Sequence, residues 1–169
     1  MLAALILAAC SVAESSYFDL GESADSVSLP VPSGQTAYVG VGDVSVMPPD
    51  EVRFVRGEAV GPGQLDEVRF LIVPLRETTG GIGAITEADL GPNELDPYRP
   101  LEGAVFTSGA GSLAVVLVVA VERDIVFEYV RIYFSVNGGP EQVQRLRTAG
   151  RLCAGDVMRD CPAPDPPRP

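Results

Sequence analysis

Three cysteines, Cys10, Cys153 and Cys161, and a run of oxygen donors, Glu87, Asp89, Asn93, Glu94 and Asp96, are the residues here whose types and spacing invite chemistry. Around them the 169-residue chain has no histidine, no lysine and no tryptophan. That inventory removes most catalytic designs. A Ser-His-Asp triad needs an imidazole, and its Ser-Lys variant needs an amine. A Cys-His nucleophile fails for the same reason, and Schiff bases and P-loops both need a lysine. The glycine clusters GGIGA and GAGS lack the strand-turn-helix setting of a phosphate cradle and read as turns.

Two oxygen-based chemistries remain. Paired carboxylates can hydrolyse glycosides, yet nothing in the spacing sets two acids across a cleft, and no tryptophan offers a sugar platform. Calcium accepts the donor types clustered at Glu87, Asp89, Asn93, Glu94 and Asp96. Their spacing departs from the EF-hand pattern, so a solvated acidic loop is the preferred reading. A carboxylate-based hydrolase or a calcium-binding module using loop 80–100 is therefore kept as the alternative. The leading expectation has no catalytic residue and no cofactor.

Cys153 and Cys161 lie close together in LCAGDVMRDC, where Gly155 and Asp156 favour a turn. Two thiols without histidine or further cysteines leave zinc short of ligands. A disulfide is expected instead, in an oxidising compartment. Closing so short a loop contributes on the order of 2.5 kcal/mol in the chain-entropy model.

Cys10 is then the odd one, and it closes the apolar stretch MLAALILAAC. Leu7, Ala8, Ala9 and Cys10 resemble the lipobox of bacterial lipoproteins. The resemblance implies that residues 1–9 are a signal peptide and that Cys10 receives diacylglyceryl and becomes the mature N-terminus. It also implies an anchor on the extracytoplasmic side of a bacterial membrane. It covers the first ten residues alone, and the signal departs from the family in its short apolar run and missing basic n-region, so it reads as truncated. The other reading of Cys10 is a buried cysteine ending an apolar element. As a membrane span the stretch is too short, since about 20 apolar residues are needed.

Charge narrows the partners. The chain carries 23 carboxylates against 12 arginines, a net charge of −11. Such a surface repels phosphate backbones, so no nucleic acid is expected. A hydrophobic fraction of 46% is enough to build a core.

The elements that must position these residues read as strands. Residues 10–34 are rich in Ser, Ala and acids and read as a tether, with Tyr17, Phe18 and Leu20 able to dock as an edge strand. TAYVGVGDVSV alternates and ends at Pro48-Pro49. DEVRF occurs at Asp50–Phe54 and again at Asp66–Phe70; five shared letters do not make a repeat, and the two read as a hairpin-like pair with similar patterning. The region from Glu77 to Gly103 is the least regular, with one helical turn in ITEADL capped by Thr86. SLAVVLVVAVE reads as a strand buried on both faces. VFEYVRIYFSVNGG alternates, with Val130, Ile132, Phe134 and Val136 on one face and Tyr129, Arg131, Tyr133 and Ser135 on the other. Asn137-Gly138 is a hairpin turn signal, and EQVQRLRT is the returning strand. The proline-rich end reads as extended or solvated chain.

The expected fold is all-β, an antiparallel immunoglobulin-like β-sandwich over residues 35–152, followed by a disulfide loop and Pro-rich tail at 153–169. Tyr129, Arg131 and Tyr133 are types enriched at binding hot spots. If a second layer covers their face they are packing, which is the preferred reading; if not, they form a contact face. The expected function is a non-catalytic, lipid-anchored envelope protein. It would bind an envelope protein or wall polymer through that face or loop 80–100.

Overall fold

Alternation and β-branched runs dominate the chain, and the backbone follows them. The computed structural model describes residues 26–47, 50–63, 65, 67–77, 83–155, 161–162 and 164. The Cys10 motif, most of the tether and most of the proline-rich tail lie outside the described residues. In chain order the strands are β1 (Ser26–Val31), β2 (Thr36–Ser45), β3 (Glu51–Val60), β4 (Arg69–Pro74), β5 (Ala84–Thr86) and β6 (Arg99–Pro100). There follow β7 (Val105–Thr107), β8 (Ser112–Ala120), β9 (Ile125–Phe127), β10 (Tyr129–Val136), β11 (Glu141–Leu146) and β12 (Ala149–Ala154).

These strands form a five-stranded sheet in the order β5-β2-β8-β4-β6, a four-stranded sheet β11-β10-β3-β7, and a three-stranded sheet β1-β12-β9. The protein is an all-β sandwich. The orders β2-β8-β4 and β11-β10-β3 correspond to strands B-E-D and G-F-C of the immunoglobulin arrangement, with β5 to β7 inserted between the D and E equivalents. One pairing departs from the antiparallel expectation: β1 runs parallel to β12. Parallel neighbours need a long crossover, and here the rest of the sandwich supplies it.

The core lies between the sheets. Val39, Val41 and Val44 of β2, Leu113, Val115 and Leu117 of β8, Phe54 of β3, and Val130, Ile132 and Phe134 of β10 belong to one buried cluster. Gly57 on β3 sits against the ring of Phe70 on β4, where a Cβ would overlap that ring. A bulge interrupts β2 between Gly40 and Gly42, with Gly42 at φ +137. The carbonyl freed there, on Val41, accepts the buried Thr148 hydroxyl at 2.6 Å.

The continuous apolar run of β8 has a second cause. Its outward residues Val116 and Val118 join Tyr38 in a separate cluster, packed against Leu71, Ile85, Leu90, Leu95 and Tyr98. Four of those five come from residues 85–98. The segment expected to be irregular is thus a cover on the outer face of the five-stranded sheet. Its one regular turn, a 3-10 turn at Glu87–Asp89, follows Thr86 as anticipated.

Two sequence expectations need correction. The DEVRF segments do not make a hairpin: β3 belongs to the four-stranded sheet and β4 to the five-stranded one. Similar patterning reflects one buried face on each, and it does not specify pairing. The sheet also starts earlier than Gln35, because Val27, Leu29 and Val31 pack into the core from β1.

Candidate functional site

Alternation along β10 points Val130, Ile132 and Phe134 into the core, each at 0% exposure. The same period turns Tyr129, Arg131 and Tyr133 to the opposite side, where they are half-buried. That partly accessible side is the candidate contact face.

Register then decides their neighbours. Arg131 stands between Arg145 on β11 and Glu58 on β3. Tyr133 stands between Val143 and Arg56. The ladder between β10 and β3 shifts at Tyr133/Phe134, where Tyr133 pairs with Arg56 and Phe134 with Phe54. The extra residue, Val55, makes this a β-bulge, and the bulge brings Arg56 onto the outward face beside Tyr133.

A connected network results. The Tyr133 hydroxyl donates to Glu58 Oε2 at 2.8 Å. Arg131 Nη1 lies 3.6 Å from the same oxygen, while its Nη2 donates to the Tyr129 hydroxyl at 3.0 Å. The Arg56 guanidinium lies 3.5 Å from the centre of the Tyr133 ring and 3.9 Å from Glu58. Arg145 lies over the Tyr129 ring at 4.1 Å. Partial burial works against the charge on Arg131, but Tyr129, Glu58 and Tyr133 together outweigh it and raise its pKa. Each exposed ion pair is worth roughly 0.2–1 kcal/mol and each cation–π contact about 0.5–1 kcal/mol. The network therefore orders the side chains more than it stabilises the fold. Chemically, ordered guanidinium forks and tyrosines with a single carboxylate among them suit recognition of an anion.

The sequence singled out Tyr129, Arg131 and Tyr133, which the structure does bring together. It missed Arg56, Glu58 and Arg145. Arg56 and Glu58 share the parity of the buried Val52 and Phe54, so alternation alone would turn them inward. The bulge at Val55 reverses that, and Arg145 joins them through its register opposite Arg131.

The acidic loop is different. Glu87, Asp89, Asn93, Glu94 and Asp96 are all exposed, and two of them are engaged locally. Asp89 accepts the Thr86 hydroxyl at 2.7 Å and the Thr86 N–H at 3.1 Å, which hold its carboxyl below the usual range. Glu94 accepts the Gly91 N–H at 2.7 Å. Among the described residues no group of three His, Cys, Asp or Glu side chains converges to hold a metal. These residues shape the turns of the cover.

Cys153 and Cys161 are joined in a disulfide, with Cα atoms 5.8 Å apart. Cys153 is buried in β12 at 2% exposure.

No protein-family model matches this chain, and no curated protein does. Among solved structures, the Proteus mirabilis ambient temperature fimbriae adhesin AtfE is similar at 10% sequence identity, with 77% of this chain and 97% of that chain covered and a TM-score of 0.22. A score that low leaves the fold to rest on the strand order described above.

Proposed function

We propose that this chain is a non-catalytic binding module of the bacterial cell envelope, held to the membrane by a lipid on Cys10 and presenting the Tyr129–Arg131–Tyr133 face to a partner. The observation that carries the binding role is the network on that face. Hot-spot residue types are ordered by one another, yet they stay accessible: the Arg56, Glu58 and Arg131 side chains are 50%, 40% and 36% exposed. Residues kept ordered on an open sheet reduce the entropy a partner must remove on docking.

Location rests on the Leu7-Ala8-Ala9-Cys10 motif. A diacylglyceryl group supplies two acyl chains, enough for stable anchoring. The Cys153–Cys161 disulfide fits the oxidising compartment such an anchor implies. The first described strand, β1, begins at Ser26 beside β12, and in this reading the segment from Cys10 to Asp25 connects it to the membrane.

The test is expression from the native gene with its upstream DNA in a bacterial host. The protein should appear in the membrane fraction, with the mass of a chain beginning at Cys10 plus the lipid. Cys10→Ser should lose both the processing and the lipid. An unmodified wild-type chain would overturn the anchor. Separately, a benzoylphenylalanine photo-crosslinker in place of Tyr133 should give a discrete adduct on intact cells, whereas one in place of the exposed Glu122 should not. Equal adducts from the two positions would overturn the binding face.

A further inference from the structure

The charge balance of the open face runs against that of the chain. Carboxylates outnumber arginines 23 to 12 overall, so acids are the commoner neighbours for any guanidinium. On the end of the face around Tyr129 and Tyr133 the ratio inverts. Arg56, Arg131 and Arg145 gather there with Glu58 as the one acid among them.

That acid is shared twice. Both Arg56 and Arg131 approach Glu58 Oε2, which also accepts the Tyr133 hydroxyl. Arg145 has no ion-pair partner among the described residues, and its Nε is buried without a hydrogen bond. Moreover, Arg145 stands directly across the ladder from Arg131, and like charges placed so are unfavourable. Stacking on Tyr129 holds the Arg145 guanidinium in that position. At the far end of β10, Ser135 stands between Glu141 on β11 and Arg53 on β3, and Glu51 follows on β3 with its carbonyl accepting the Asn137 N–H, so acids and arginines balance there.

We propose that this patch binds an extended acidic peptide segment of a partner protein, laid along β11 with its carboxylates on Arg145 and Arg131. The inference rests on reading this face as the binding surface and adds the chemistry of its ligand. Charge complementarity selects an anion. The tyrosine rings already carry guanidinium groups, so a neutral sugar finds no free aromatic platform. The peptide class follows from the strand beside the patch. Among the described residues β11 is an edge strand, bonded in its sheet to β10. An added strand can bond to such an edge through its main chain while alternate side chains meet the outward residues of β11. Side chains two residues apart on a strand recur about every 6.8 Å on one face, so acids at alternate positions share the face that carries Arg145 and, one strand further in, Arg131, with Val143 and Glu141 further along β11. Each carboxylate offers a guanidinium fork two oxygens in one plane. A phosphate polymer could meet the charge but could not pair with the edge.

Fluorescence anisotropy of a labelled (Glu-Thr)4 peptide with the full chain tests this. Saturable binding is expected at low ionic strength, weakening as salt rises. Arg145→Gln and Arg131→Gln should each weaken it about fivefold, in the range exposed charge pairs give, while Arg123→Gln, exposed elsewhere, should not. Glu58→Gln should strengthen it about twofold by releasing Arg131 and Arg56 from their shared acid. The same peptide with alternate N-methyl groups keeps its charge and should lose binding. Absent binding, equal loss in Arg123→Gln, or full retention after N-methylation would each overturn the proposal, as would tighter binding of inorganic polyphosphate of equal charge. If those results came with a persisting crosslink at position 133, the ligand class would fall and the binding face would stand.

Discussion

Two polar side chains near the core show opposite consequences of one rule at the scale of single residues. Thr148 is 5% exposed and its hydroxyl donates to the bulge carbonyl of Val41. Gln144 is 8% exposed and points inward from β11, yet its Oε1 has no hydrogen-bond partner among the described residues. Deleting one side of a buried hydrogen bond leaves the other group desolvated, at about 1–3 kcal/mol. Thr148→Val should therefore lower unfolding stability by that amount in urea titrations. Gln144→Leu removes that unpartnered oxygen at the cost of one long bond, 3.3 Å from its Nε2 to the Arg145 carbonyl, and should raise stability by up to about 1 kcal/mol. Equal signs for the two variants would contradict the assignment. Asp89 adds a pH dependence. The Thr86 hydroxyl, and after it the Thr86 N–H, holds the Asp89 carboxyl below its ordinary value. A lowered folded-state pKa means that the stabilising contribution is fully present above the unfolded value near 3.9 and is lost as pH falls through the lower folded value. The carboxyl resonance of Asp89 should titrate below a random-coil aspartate, and Thr86→Val should move its midpoint upward.

At the scale of elements, β8 and its cover make one cooperative unit. Val116 and Val118 face away from the sandwich core and are still 0% and 2% exposed, because residues 85–98 fold over them. Val118→Thr keeps the shape and inserts a hydroxyl into that apolar layer, which costs roughly 1–3 kcal/mol. On an open sheet face the same change would stay within about 0.5 kcal/mol, so a urea midpoint shift distinguishes the two. The contrast between β8 and β10 also shows what was legible in the sequence. An unbroken apolar run from Leu113 to Val119 announces two covered faces, and the strict alternation from Tyr129 to Ser135 marks one face as core while leaving the cover of the other undecided. The Asn137-Gly138 turn was equally legible, and both residues take the positive φ it demands, 51° and 71°. Where each strand pairs was not legible. DEVRF carries the same local pattern at both of its occurrences, and nothing local tells β3 to join β10 or β4 to join β8. The candidate face was half-readable for the same reason: Tyr129, Arg131 and Tyr133 share one strand, whereas Arg56, Glu58 and Arg145 arrive through register and a bulge. The cover was unreadable because its apolar contacts, Ile85, Leu90, Leu95 and Tyr98, are spaced irregularly between glycines and prolines.

At the scale of the whole molecule, stability depends on how the two ends of the sandwich are tied. β1 and β12 lie side by side, with Pro30 opposite Cys153, so loosening β12 also frees β1. The disulfide restrains that closing strand by fixing Cys161 to it. Cys161 Sγ also lies 3.7 Å from the Arg151 carbonyl. In the chain-entropy model this short loop contributes about 2.5 kcal/mol. For a chain of this size, about 2–4 °C in Tm accompanies each kcal/mol. The Cys153→Ala, Cys161→Ala double variant should therefore melt about 5–10 °C lower, with the folded far-UV spectrum unchanged. Because Cys153 is buried, a mild reductant should cleave the bond slowly in the native protein and rapidly in urea. The reduced protein should then melt at the temperature of the double variant. Fast reduction without urea would mean that β12 opens locally far more often than the rest of the sheet. The parallel β1–β12 pair would then be the weak seam of the sandwich.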